Sequence, residues 1–171
     1  MHLIKLISFC AALSLLTGCL EDLTPDSKDL RSGDSKTSEN FIATTTLNET
    51  ITLEDELLTN DAVVLYFTMW CPLCDNHMNH IKNHVIENYR NVHFYMVDYV
   101  SANLSQSRSL QRSNGYTGLE ILVDNKQSLL KQYSATMASV IVINDQKQII
   151  LNEDYKNGAR LINVLDNLGR D

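Results

Sequence analysis

The sequence predicts an α/β sandwich with a mixed central sheet, on three observations. Short apolar runs rich in β-branched and aromatic residues alternate with stretches of helical periodicity. The alternation closes with a hairpin pattern followed by an amphipathic helix. From Phe41 onward about 130 residues remain, enough to bury one core.

Each element has its own local reason. Residues 62–67 form a continuous apolar run, Ala62-Val63-Val64-Leu65-Tyr66-Phe67, which suits a strand covered on both faces. Residues 72–89 place Met78, Ile81 and Val85 at helical spacing, and Pro72 fits a first helical position because its missing N–H would be unpaired there anyway. Residues 92–97 read as a second strand, and 102–113 as a polar helix stopped by Asn114-Gly115. A short strand at 120–123 and a short helix at 128–133 follow. Residues 140–143 and 148–151 flank an Asn144-Asp145-Gln146 turn, and 159–168 form the closing helix with Leu161, Ile162, Leu165 and Leu168 on one side.

The chain has 171 residues and a formal net charge of -7, with 44% hydrophobic and 20% charged residues. Those values exclude collagen-like, coiled-coil and disulfide-scaffold classes. The acidic balance argues against nucleic acid as a partner, since phosphate binding needs clustered Lys and Arg.

The N-terminus reads as an address. One clear cation, Lys5, precedes an apolar run from 6 to 16 that is broken only by Ser8 and Ser14. A run of that length is short of the roughly 20 residues a permanent span requires, and it suits a secretory signal. Its end, Leu16-Thr17-Gly18-Cys19, resembles the bacterial lipobox. That resemblance implies cleavage after residue 18 and lipidation of Cys19 with acyl chains such as palmitate, a stable membrane anchor. Loss of Lys5 with the signal takes the formal charge from -7 to -8. Leu20, where an Asp would imply inner-membrane retention, points to the outer membrane with the domain facing the periplasm. Residues 19–40 are poor in large apolar side chains and read as a lipidated flexible tether, leaving 41–171 as the folded domain.

The chemistry lies where the first buried strand meets its helix. Trp70-Cys71-Pro72-Leu73-Cys74 contains a C-x-x-C at a helix N-terminus, a spacing that brings two sulfurs within disulfide reach. Amide N–H groups and the positive end of the helix dipole should favour a thiolate at Cys71, which makes it the attacking sulfur. Cys74, one turn further in, then resolves the mixed disulfide. Pro72 stiffens the backbone and Trp70 shields one side. A zinc ribbon lacks its second cysteine pair, because Cys10 falls in the signal and Cys19 is the lipid site. A purely structural disulfide closing so short a loop remains a second reading.

The segment from Phe67 to Cys74 is similar to the active-site segment of the thioredoxin superfamily, closest to its TlpA/ResA-like periplasmic branch. Residues 47–53 resemble that branch's opening hairpin, and 133–150 its last helix-to-hairpin passage. The resemblance implies a thioredoxin-like three-layer sandwich and thiol–disulfide exchange with protein substrates. It also implies no dissociable cofactor, a separate thiol electron donor, and a reducing role. A monomer is expected.

Three departures from that family carry expectations. The loop opposite the cysteines has Ala138-Ser139 where the family places a cis-proline. A non-proline cis bond costs about 3–4 kcal/mol, so a trans bond and an altered substrate groove are expected. Leu65 stands where thioredoxins carry a buried acid. His77 replaces a Glu of the branch and is a candidate for proton exchange with Cys74. Cys71, Cys74 and His77 also suggest an alternative Cu(I) or Zn(II) site, with His80 and His84 solvated. His93 reads as structural. Thr68, three residues before Cys71, matches the peroxiredoxin T-x-x-C pattern and keeps a thiol peroxidase as another alternative. The absent proline also leaves open a non-catalytic binding module.

Overall fold

The structure, a computed structural model, describes residues 36–168. The signal segment, Cys19 and most of the tether lie outside the described residues.

Among the described residues seven strands and five α-helices follow one another, the predicted elements in the predicted order and one further short helix, Leu53–Leu57. A small antiparallel hairpin, β1 (Ile42–Thr44) and β2 (Thr50–Thr52), runs directly into helix α1 (Leu53–Leu57). Thr52 caps α1 by accepting from the Asp55 amide. Then come β3 (Ala62–Thr68), α2 (Pro72–His80), β4 (Val92–Asp98), α3 (Leu104–Ser113) and β5 (Glu120–Val123). The chain closes with α4 (Ser128–Gln132), the hairpin β6 (Ser139–Asn144) and β7 (Ile149–Asp154), and α5 (Ala159–Asp166). The five-stranded sheet has the order β5-β4-β3-β6-β7. Its β3–β4 and β4–β5 pairs are parallel, and its β3–β6 and β6–β7 pairs are antiparallel. It is a thioredoxin-like α/β fold with a mixed central sheet, as the sequence predicts.

Strand β3 is central and fully buried, which is why its pattern does not alternate with polar residues. Its side chains still divide between two cores by the two-residue period of a strand. Ala62, Val64 and Tyr66 pack with Met78, Ile81 and Val85 below α2 and with Leu161 and Leu165 of α5. Val63, Leu65 and Phe67 face Leu53 of α1, Leu129 of α4 and Tyr133. The long helix expected over 72–89 is regular only to His80. It continues as a π turn (Ile81–Val85), which leaves both Ile81 and Val85 fully buried, and a 3-10 turn (Ile86–Asn88).

The folded region starts earlier than Phe41. Thr37 bridges Gln148, and the Ile149 amide donates to the Lys36 carbonyl. Ser38 is buried, with its hydroxyl 2.8 Å from the Tyr133 hydroxyl. These backbone bonds extend the exposed edge beside β7, and composition alone carries no trace of them.

His93 on β4 is structural, and its geometry sets a pH dependence. Its ring nitrogens lie 3.1 Å from Glu56 and 3.2 Å from Glu120, and the ring stacks on Tyr95. The hydrogen bond to Glu120 raises the His93 pKa, and the same bond lowers that of Glu120. A raised histidine contributes stability that is complete below its ordinary value of 6.5 and is lost as pH rises through the folded value. The depressed carboxylate contributes above its ordinary 4.5 and fades as pH falls through its folded value. The clamp is therefore strongest between those two values. His93→Gln should remove about 0.5–1 kcal/mol of stability near pH 5.5 and little at pH 9, read from urea midpoints across that range.

Candidate functional site

The cysteine pair sits where β3 gives way to α2, at the carboxyl end of the parallel strands. Met69 and Trp70 turn the chain. Trp70 has φ 59°, a left-handed conformation that strains a bulky side chain, and its amide is held 3.1 Å from the Thr68 hydroxyl. The indole rests 6.5 Å from the Tyr116 ring, and the Tyr116 hydroxyl in turn bonds Asp75 in the first turn of α2. Cys71 is the N-cap, with its sulfur accepting from the Cys74 amide at 3.2 Å, and Pro72 occupies the first helical position as predicted.

The two sulfurs are 2.8 Å apart. Cys71 is partly open to solvent, whereas Cys74 is 0% exposed. The acidity of the two thiols is divided differently from the expectation. Partial burial and the Cys74 thiol push Cys71 up, against amides at the helix start that pull it down. At Cys74 burial also pushes upward, but the hydrogen bonds from Cys71, the Met69 amide and the Thr68 hydroxyl outweigh it, and the net shift is down. Cys71 is the accessible sulfur of the pair, and Cys74 is sealed from any protein disulfide.

Opposite the cysteines lies the turn before β6. Its Ala138–Ser139 bond is trans, as the missing proline predicts, since the described residues contain no cis peptide. Ala138 adopts φ 65°, fixed by its amide bond to the Phe67 carbonyl (2.9 Å) and by the Tyr155 amide on its own carbonyl (2.8 Å). Ser139 is buried and turns its hydroxyl inward to accept from the Thr136 amide at 2.8 Å. Met137 meets the site, with its Sδ 3.6 Å from Cys71 Sγ and 38% of its surface exposed. With Met69 and Leu73, also exposed, it surrounds Cys71 with apolar surface.

The His77 Nδ1 lies 3.0 Å from the Tyr66 hydroxyl. Burial, then the charge of nearby His80, hold the His77 pKa below its ordinary value. His80 is half-buried rather than solvated, with Nδ1 2.6 Å from the Tyr155 hydroxyl, while His84 is exposed. No group of three His, Cys, Asp or Glu side chains among the described residues converges on a metal position, so the Cu(I) or Zn(II) alternative loses its histidine. Thr68 is fully buried and serves Cys74 and the Trp70 amide. The sequence analysis passed over Tyr66 and Met137. Tyr66 looks like one more apolar strand residue, although a buried tyrosine always demands a partner for its hydroxyl.

Residues 23–162 match the Redoxin family. The chain is a member of that family. No curated protein matches it. Solved structures with the same fold include a candidate protein disulfide isomerase from Bacteroides thetaiotaomicron, at 17% identity and TM-score 0.67, covering 80% of this chain and 89% of that one. The thioredoxin domain of a thiol–disulfide oxidoreductase from Bacteroides vulgatus matches at 12% identity and TM-score 0.62, covering 79% and 97%. A yeast mitochondrial 1-Cys peroxiredoxin matches at 20% identity and TM-score 0.60, covering 78% and 74%. At such identities the likeness is one of fold, and the chemistry must be read from this redoxin's own site. That site is a vicinal dithiol with one open and one sheltered sulfur, an arrangement for thiol–disulfide exchange.

Proposed function

We propose that this redoxin is a lipid-anchored, periplasm-facing reductase of protein disulfides, of the TlpA/ResA-like type. The observation that carries the exchange reaction is the asymmetry of the pair, an accessible Cys71 at the helix cap and a sealed Cys74 2.8 Å away. Cys71 thiolate attacks a substrate disulfide and displaces one substrate sulfur as a thiolate. Cys74 then attacks Cys71 and releases the second substrate sulfur, leaving the protein oxidised. An external thiol donor restores the dithiol. The apolar surface of Met69, Leu73 and Met137 favours a substrate cysteine set in an extended, apolar segment. The Leu16-Thr17-Gly18-Cys19 pattern and Leu20 support anchoring through Cys19 at the outer membrane. A reductase there requires a donor that is soluble or long enough to reach it.

The test is the redox equilibrium of Cys71 and Cys74 in glutathione buffers, read by alkylation mass shift. A potential near or below about -270 mV is expected for a reductase, and one near -120 mV would instead mark an oxidase. Failure to form the intramolecular disulfide at any poise would end the exchange reading.

A further inference from the structure

We propose that the reduced site binds a single Cu(I) ion, held by the thiolates of Cys71 and Cys74 and by the thioether of Met137. Three sulfurs already stand together there. Cys71 Sγ lies 2.8 Å from Cys74 Sγ and 3.6 Å from Met137 Sδ. Sulfurs that share one ion at bonds of about 2.3 Å stand roughly 3.8 Å apart, so the Cys71–Met137 spacing needs almost no change. The cysteine pair has to open by about 1 Å to reach the same spacing. Cys71, partly exposed at the helix cap, is the sulfur with room to turn.

The placement of the methionines supports the thioether as a ligand. Among the described residues Met78 and Met96 are fully buried, the ordinary place for a flexible apolar side chain. Met69 and Met137 are exposed, at 42% and 38%, and both flank Cys71. Met137 is also held from both sides. The residue after it, Ala138, donates its amide to the Phe67 carbonyl at 2.9 Å. The residue before it, Thr136, donates its amide to Ser139 Oγ at 2.8 Å. A fixed backbone thus presents the thioether to the cysteines, which lowers the ordering cost of ligation.

The donor set selects the ion. Thiolate and thioether sulfurs are soft and suit Cu(I), whereas Zn(II) closes a tetrahedron with thiolate, imidazole or carboxylate ligands. Among the described residues no third His, Cys, Asp or Glu joins the pair to make such a set. His77, three residues past Cys74, has its Nδ1 3.0 Å from the Tyr66 hydroxyl. Binding breaks the two S–H bonds and forms two copper–thiolate bonds and one copper–thioether bond. Two protons pass to solvent, no electron moves, and the complex carries one net negative charge. The disulfide form has no thiolate to offer, so the ion and a substrate disulfide compete for the same reduced pair.

The test is a Cu(I) titration of the reduced, full mature chain in detergent, without oxygen, against the coloured chelator bicinchoninate. One equivalent is expected to bind. Met137→Leu keeps volume and apolar character, so the fold is retained, and it should weaken Cu(I) binding by at least about tenfold. X-ray absorption at the copper edge of selenomethionine-labelled protein should show one Cu–Se bond, present in Met69→Leu and absent in Met137→Leu. An affinity of Met137→Leu within about twofold of the parent would overturn the proposal, as would a Cu–Se bond that survives that substitution. A copper site with no Cu–Se bond in the parent would overturn it too. So would a parent protein that binds no Cu(I), an outcome that leaves disulfide exchange to be decided by the redox titration.

Discussion

Cys74→Ser is expected to accumulate mixed disulfides between Cys71 and protein partners in cells, and Cys71→Ser to capture few. The asymmetry follows from access. With Cys74 gone, Cys71 still meets a substrate disulfide at the surface, but no sulfur lies 2.8 Å away to release it. With Cys71 gone, the remaining sulfur is sealed at 0% exposure beneath the first turn of α2. Both variants should lose disulfide turnover by at least about a thousandfold, since the two sulfurs act as one unit. Acid quenching, alkylation and non-reducing electrophoresis check the trapping. Equal capture by the two variants would contradict the division of roles.

Gly158→Ala should be the most damaging small substitution outside the site. Gly158 has φ 79°, where an L side chain costs roughly 1–2 kcal/mol. An added Cβ would also fall 2.7 Å from the Tyr155 hydroxyl oxygen and 2.8 Å from His80 Cε1. Tyr155 is buried and cannot swing aside, so overpacking adds roughly 1–3 kcal/mol. A total loss of about 2–5 kcal/mol corresponds to a melting temperature lower by roughly 10 °C. Thermal unfolding at pH 7 measures it. A shift of under about 2 °C would mean that the His80–Tyr155 contact gives way more easily than its 2.6 Å hydrogen bond suggests.

Much of this fold was legible residue by residue. The run from Ala62 to Phe67 read as a strand covered on both faces, and β3 is buried along its whole length. Pro72 marked the start of α2, and Asn114-Gly115 the end of α3. The short helix α1 escaped notice because its Leu-Glu-Asp-Glu-Leu segment is too brief for a periodic pattern. The attachment of residues 36–38 to residues 147–149 escaped because it is made by backbone bonds that any polar composition can form.

The site divides in the same way. Spacing alone placed Cys71 and Cys74 together, since three residues of helix leave their sulfurs no other relation. Spacing could not say which thiol is the more acidic. That depends on the Thr68 hydroxyl and Met69 amide that the turn after β3 delivers to Cys74. Counting along the chain brought the turn of Ala138 and Ser139 to the cysteines, but it did not single out Met137, whose sulfur lies against Cys71.

Sequence by itself therefore determined the alternation of elements, the mixed sheet and the reactive pair, because propensity, hydrophobic period and short helical spacing are local properties. Only the tertiary structure decided that the Tyr66 hydroxyl meets His77, because that meeting requires β3 and α2 to be packed face to face. A hydroxyl on a buried strand is, in sequence, one polar atom in an apolar run. Its partners are chosen by the fold, which must satisfy every polar group it removes from water.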